Sequence, residues 1–561
     1  MQKKIILPIL LSVFLASCTI AAPNGGKKKK TSSEDSSTST TLVSGSSTSG
    51  SSVTSGSSGS SGTSGTSSTS DVDPELPVVT KVTLNTHAES VKQGASITLS
   101  ATVTGKNNPA KTLTWETSNS NYATVSNGVV SVKSTATAGQ TVTITARSTV
   151  TTSVTDSCVI TVLSASASES YTILIYMCGA DLESSHTTDQ YEGFASGDLR
   201  EIASVASILP NNFNIVVETG GASKWASNPG IDKNYLQRRK LNSSGTWEVI
   251  SNETKANMGL QSTLQSFLSW GLTTYPADHT GVIMWNHGGA AMGCCFDENY
   301  SDDGIRPSEM DGAVKNALSS AGKSGQKLDW VGYDCCIMSY ADLASINSQY
   351  FKYMVSSQEL ESGLGWDYDA WLPTLFSNTS ISTETILTKI CTTFVSENGG
   401  SSSSNDQCLS VLNLQNFGTF QTAFESFASG LTSTNWSKIK SSYTSSLRFG
   451  NLDEYGGAMY GYGLADMKDF LTKAANNGFN TSAASSALSN VLVHSSYGGF
   501  YSSTKPCGLN IFVPADDDGS PQISEDDYGA SDTKFTNWRS FVIENGTFYG
   551  SGGGGGWDWN W

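Results

Sequence analysis

Histidine is scarce. The 561-residue chain has five, at positions 87, 186, 279, 287 and 494. Few places are therefore open to imidazole chemistry. No H-E-x-x-H occurs, which removes the ligand set of zincin peptidases. No G-x-S-x-G occurs, which removes the serine-hydrolase elbow. The ten cysteines include no C-x-x-C and no regular spacing, so zinc-finger ligation and a dense disulfide scaffold are both excluded. Basic residues are outnumbered, 33 Lys and Arg against 50 Asp and Glu, for a net charge of −17. Such a surface repels phosphates, and no nucleic-acid partner is expected. Proline is sparse at 13 residues, against 54 glycines. No apolar run reaches the ~20 residues needed to cross a bilayer.

What is there begins with MQKKIILPILLSVFLASC. Lys3 and Lys4 form a positive start and Ile5 to Leu15 an apolar run, the pattern of an export signal. Leu15-Ala16-Ser17-Cys18 resembles a bacterial lipoprotein box, and that resemblance implies cleavage before Cys18 and lipid on its thiol. The expected location is outside the cytoplasm, anchored to a membrane and facing the cell surface or the periplasm. Residues 31–70 contain 35 Ser, Thr and Gly. Such a segment has no apolar surface to bury, and as a coil it spans roughly 35 Å. It reads as a tether. At the other end, SGGGGGWDWNW carries three tryptophans, which leaves docking and an unstructured end equally open.

Between Pro77 and Leu163, short β-rich runs alternate with turn pairs such as Asn127-Gly128, which predicts an all-β sandwich. The stretch resembles a bacterial Ig-like domain of the group 2 type in its Gly94 to Val103 strand, Trp115 and Ala123 to Val130. From Tyr171 the pattern becomes α/β. YTILIYMC, NFNIVVE, HTGVIMW, KLDWVGYD and YFKYMVSS are apolar runs, separated by stretches of helical period such as Leu199, Ile202 and Ala206. A mostly parallel sheet covered by helices on both faces is expected. Ligands bind beyond the carboxyl ends of such strands.

Of the five histidines, only His287 stands at the end of such a strand. Two glycines follow it. Gly288 and Gly289 permit the close backbone approach that an oxyanion site needs. The pair Cys335-Cys336 stands at the end of the next strand. A thiol and an imidazole on neighbouring strand ends form a nucleophile–base arrangement, though a cysteine in such a place also packs well in a core. Strand alternation alone leaves open which cysteine would act. Asp334 lies two residues before Cys336, on the same face if the chain is extended. A carboxylate there would raise the thiol pKa, so it is better explained as a reader of substrate charge.

Several segments together resemble the clostripain family of cysteine peptidases, relatives of the caspases, legumains and gingipains. They are Tyr275 to Asp278, Val282 to Gly289, Asp329 to Met338, Ser357-Gln-Glu359, Gly365 to Tyr368 and Gly508 to Pro514, with looser likeness at GADL and GLADMKDFL. Laid on the family pattern, Asp334-Cys335-Cys336-Ile337-Met338 makes Cys336 the nucleophile and Cys335 a small filler. The resemblance implies acyl transfer, with His287 as the acid–base residue. It places the Gly288 and Cys336 N–H groups at the oxyanion and Asp334 at the base of a pocket for a P1 Arg or Lys. It implies protein or peptide substrates; no cofactor or metal ligand is expected, with calcium left open because some members of the family respond to it.

The expected layout is a signal peptide at 1–18, a tether at 19–76, an Ig-like domain at 77–164, a caspase-like peptidase domain at 165–545 and a tail at 546–561. Three features bear on this reading. Leu364 stands where a polar or acidic residue is common in the family, which would weaken basic specificity. The loop with Asp297, Glu298, Asp302 and Asp303 leaves calcium open, without EF-hand spacing. Arg306 is followed by Pro307, so cleavage between the histidine and the cysteine is expected to be absent or inefficient. The rival readings are a catalytically silent adhesin and a transpeptidase of the same fold.

Overall fold

A computed structural model describes residues 77–548 apart from 165–168, 189–192, 399–405, 451–461, 516–522 and 530–534. The signal segment with Cys18, the tether and the Trp-rich end lie outside the described residues.

Residues 78–163 are all β. Thr141–Ser148 illustrates why. Val142, Ile144 and Ala146 alternate with threonines, and a period of two puts every second side chain on one face. Those three pack with Cys158, Ile160 and Val162 of Thr155–Leu163 in a single apolar cluster.

The larger region is built on a nine-stranded sheet. Its strands in chain order are β1 (Tyr171–Cys178), β2 (Phe213–Gly220), β3 (Tyr235–Leu241), β4 (Trp247–Thr254), β5 (His279–Trp285), β6 (Leu328–Asp334), β7 (Phe351–Ser356), β8 (Cys408–Asn413) and β9 (Leu492–Tyr497). Across the sheet they run β4-β3-β2-β1-β5-β6-β7-β8-β9. The five central strands are mutually parallel. Two antiparallel strands finish each edge. The parallel five are the apolar runs read from the sequence. The four edge strands were not read, because they carry charge or hydroxyls. In β3 the Arg238 guanidinium is buried against Glu218, with Nε 2.7 Å from Oε2. His494 lies on strand β9, which follows the helix Ser482–Leu488.

Each central strand faces apolar side chains both ways. Leu174 and Tyr176 of β1 join one cluster, and Ile173, Ile175 and Met177 join the other. On the first face pack α3 (Gln261–Thr274), α4 (Pro307–Ser320) and α5 (Ala341–Asn347); on the second, α2 (Phe194–Ser204), α6 (Tyr368–Ser377) and α7 (Thr383–Glu397). The short α1 (Ala180–Ser184) follows β1 directly. Parallel strands need such crossovers, so their carboxyl ends collect on one rim. Among the described residues, no helix is long and apolar enough to cross a membrane.

Candidate active site

The rim beyond β1, β5, β6 and β7 carries the chemistry. His287 lies two residues past the end of β5, and Asn286 fixes the turn that delivers it. The Asn286 side-chain amide donates to the Cys178 carbonyl at 2.7 Å, and its oxygen accepts from the Phe296 N–H at 2.8 Å. Asn286 N–H also donates to the Asp334 carbonyl at 3.3 Å, tying β5 to β6 beyond the last ladder pair. Gly288 then pairs with Cys294 in an antiparallel bridge. The bridge bonds use the His287 carbonyl and the Gly289 N–H, so the Gly288 N–H stays outside that ladder.

Gly288 and Cys336 interlock. A Cβ at position 288 would fall 2.0 Å from the Cys336 carbonyl oxygen, well inside contact distance. Only glycine lets the two strand ends approach this closely. The turns that carry His287 and Cys336 are thus in backbone contact, and one expectation is corrected. Cys336 does not continue the extended chain of β6. It lies in a turn, and Ile337 after it has φ 50°. A β-branched residue in the left-handed region is a genuine outlier. Ala180, Ala290 and Cys295, at φ 45°, 52° and 59°, add strained backbone around the same rim, the kind of clustering found at functional sites. Alternation along a strand therefore does not explain how Asp334 and Cys336 come to line one cleft; the turn does.

The two adjacent cysteines part company. Cys335 sends its thiol back into the core, where it donates to the Met284 carbonyl at 3.4 Å. Burial pushes that thiol well above its ordinary pKa. The Cys336 sulfur instead accepts from the Glu361 N–H at 3.1 Å at the rim.

Asp181 was not singled out in the sequence. Its Oδ1 lies 2.8 Å from His287 Nε2. Partial burial works against its charge, but the His287 contact outweighs burial and holds the carboxyl below the usual carboxylate range. The available signal was position: Asp181 lies at the end of β1, on the same rim as the histidine.

Asp334 ends β6 and is enclosed by the Gly365-Trp366-Asp367-Tyr368 turn. The Tyr368 hydroxyl donates to Oδ2 at 2.9 Å and the Trp366 N–H at 3.4 Å. Burial nevertheless raises its pKa to about 7. A cleft opens beside it, lined by Leu182, Trp285, Asn286, Cys335, Cys336, Ser362 and Gly363 among others. Leu364 is absent from this lining and is exposed. Below the rim, Gln358 and Asn510 exchange hydrogen bonds at 2.8 and 2.9 Å, and the Tyr501 hydroxyl donates to Glu359. This explains why Ser357-Gln-Glu359 and Gly508 to Pro514 travel as distant pieces of one pattern: they bond to each other.

The acidic loop behaves as a set of staples. Asp297 accepts from Met258 N–H and Asn299 N–H, each at 2.9 Å, Glu298 from the Ser184 hydroxyl at 2.9 Å, and Asp303 from the Asn257 amide at 2.6 Å. Among the described residues, no group of three or more His, Cys, Asp or Glu is arranged to hold a metal ion.

Residues 175–545 match the model of the clostripain family. The chain belongs to that family. Clostripain of Hathewaya histolytica is 24% identical over 193 residues, which is 30% of this chain and 35% of that protein; the chain thus spans about a third of the curated relative. An inactive zymogen protease of Parabacteroides distasonis aligns over 62% of this chain and 93% of its own, with 18% identity and a TM-score of 0.45. A secreted cysteine protease of Bacteroides thetaiotaomicron, solved with an irreversible peptide inhibitor, aligns over 66% and 99%, with 16% identity and a TM-score of 0.45.

Proposed function

We propose that this clostripain-family protein is a cysteine endopeptidase that cleaves after Arg or Lys. The observation that carries the reading is the interlock of the His287 and Cys336 turns beside a cleft whose buried Asp334 has no cationic partner. The reduced Cys336 thiolate attacks the scissile carbonyl, forming a C–S bond. The N–H groups of Gly288 and Cys336 hold the oxyanion. His287 protonates the leaving amine as the C–N bond breaks, then takes a proton from the water that splits the thioester. Asp181 bonds Nε2, which assigns proton transfer to Nδ1. Asp334 pairs with the P1 cation, a directional contact when the partner is a guanidinium. Leu182 and Trp285 supply apolar walls for its methylene stem.

The test uses the full-length protein with reductant and matched fluorogenic peptides bearing Arg, Lys, Asp, Asn or Leu at P1. Cleavage after Arg or Lys that survives Cys335→Ala and is lost in Cys336→Ala is expected. Cleavage after another residue would move the specificity away from Asp334. No cleavage, with or without calcium, would favour a silent adhesin. Ligation to an added amine instead of hydrolysis would favour a transpeptidase. Export and lipid on Cys18 belong to the same proposal, and incorporation of an alkyne fatty acid in cells, lost in Cys18→Ser, is its readout.

A further inference from the structure

The loop after β7 brings a second carboxylate into the cleft. Glu361 is 6% exposed and lines the cleft beside Asp334. Neither of its carboxylate oxygens has a hydrogen-bond donor. Asp198 on α2 is close by: a Cβ at Gly365 would fall 2.9 Å from its Oδ2 and 3.4 Å from Asp334 Oδ2. Asp198 accepts from the Trp285 indole N–H at 2.6 Å, whereas the groups beside Glu361 are the Asp334 carboxyl and the Trp366 indole, and neither is a cation. Leaving a buried carboxylate without a partner costs several kcal/mol. No Lys, Arg or His lines this cleft. A second buried carboxyl without a countercharge therefore lines the cleft in which a substrate side chain would sit.

We propose that Glu361 is a second specificity-determining carboxylate, which reads the P1 cation together with Asp334. The inference rests on the basic-P1 reading above and extends it. It also accounts for Leu364: the acidic function missing at that exposed position is supplied three residues earlier, from the opposite side of the turn. Asp334 and Glu361 converge from two elements, β6 and the loop after β7. A guanidinium, with five donors in a fork, can satisfy acceptors on two walls at once. Without a ligand, Asp334 and Glu361 face each other within hydrogen-bond reach: burial raises both, and their contact raises Glu361 further while lowering Asp334, the pattern of two carboxyls that share one proton. The other titratable groups facing them are Asp198, with Glu201 and Glu183 behind it, and the Tyr368 hydroxyl. An arriving cation then displaces that proton to solvent, with no other bond made or broken.

The experiment compares peptides with Arg or citrulline at P1, which match in shape and differ in charge. Rates are normalised to the fraction of protein labelled by a peptidyl acyloxymethyl ketone. Glu361→Gln is expected to lower the Arg-to-citrulline ratio of kcat/KM by about 10- to 100-fold, the range for a hydrogen bond to a charged group. Citrulline turnover should hold within about threefold, and Glu361→Asp should fall between. A wild-type ratio far above one that is unchanged in Glu361→Gln would overturn the role of Glu361 and leave the basic-P1 reading intact. A wild-type ratio near one would overturn both. Wild type alone gives an independent check: calorimetry of benzamidine binding at pH 6 in two buffers of different ionisation enthalpy. Proton release is expected; binding without release would overturn the shared pair.

Discussion

Two aspartates at the same rim have opposite fates. Asp181, past the end of β1, is exposed and holds His287, and that contact keeps its charge. Asp334, at the end of β6, is buried and meets no cation, and burial raises its pKa to about 7. The residue type is the same and the distance along the sheet is two strands. What differs is whether a partner comes from the protein or must come from outside. A carboxylate given a cationic or imidazole partner within the fold positions chemistry; one hydrogen-bonded but left without a countercharge suits a ligand that brings one.

The strongest way to test this comparison removes the chemistry both aspartates serve. Cys336→Ala should lower kcat by at least about 10⁴-fold for every substrate, with labelling by the ketone abolished. Asp334→Asn should then act on one substrate class only. Loss of about 10²- to 10³-fold in kcat/KM is expected with P1 Arg, from an unpaired guanidinium in a desolvated pocket, while P1 citrulline is cleaved at nearly wild-type rates. Asp181→Asn should do the opposite: a loss of about 10-fold, equal for Arg and citrulline, seen in kcat rather than KM. If the two asparagine variants gave the same substrate profile, the division between positioning and recognition would collapse.

Proton dependence sharpens the contrast further. An ionised Asp334 binds the cation, so kcat/KM for P1 Arg should rise as pH increases through about 7 and stay comparatively flat there for citrulline. Stability runs the other way. The native pKa of Asp334 lies above its unfolded value of about 3.9, so between pH 4 and 7 the native state binds more protons than the unfolded one. Stability therefore falls as pH rises across that window. Asp334→Asn should unfold at a higher temperature than wild type at pH 8, by on the order of 1–3 kcal/mol, with little difference at pH 4. Equal melting curves at pH 8 would mean that the buried carboxyl carries no strain.

Much of this was legible in the sequence, for a definite reason. The five parallel strands are covered on both faces, so each reads as an unbroken apolar run, and their ends point to the rim. His287 follows from that logic because so few histidines compete with it. The choice of Cys336 over Cys335 rests on the family resemblance; in the structure both line the cleft, with the Cys335 thiol bonded to the Met284 carbonyl and the Cys336 sulfur to the Glu361 N–H. The edge strands stayed hidden because side chains such as Arg238 and Arg239 disguise a buried strand as a surface one until Glu218 is found opposite Arg238 and Gln237 beside Arg239 on the same strand. Glu361 stayed hidden for a related reason. It sits in the polar run SQELESG, where an acid that faces solvent and an acid that faces a cleft look alike. Asp181 was within reach, since it too follows a strand end, but its role depends on a histidine 106 positions away.

The Gly288 approach has a consequence for the genetics of this protein. In a library sampling every substitution, position 288 should score beside the nucleophile for intolerance, although its side chain performs no step. Alanine, the smallest change, keeps the N–H proposed to hold the oxyanion and still places a methyl group 2.0 Å from the Cys336 carbonyl. Intolerance there reports the geometry of a backbone contact rather than the identity of a reacting group. Inherited variation at this codon is closed off by a neighbouring carbonyl, and relaxing it would require second-site changes in the Cys336-Ile337 turn, not in the dyad.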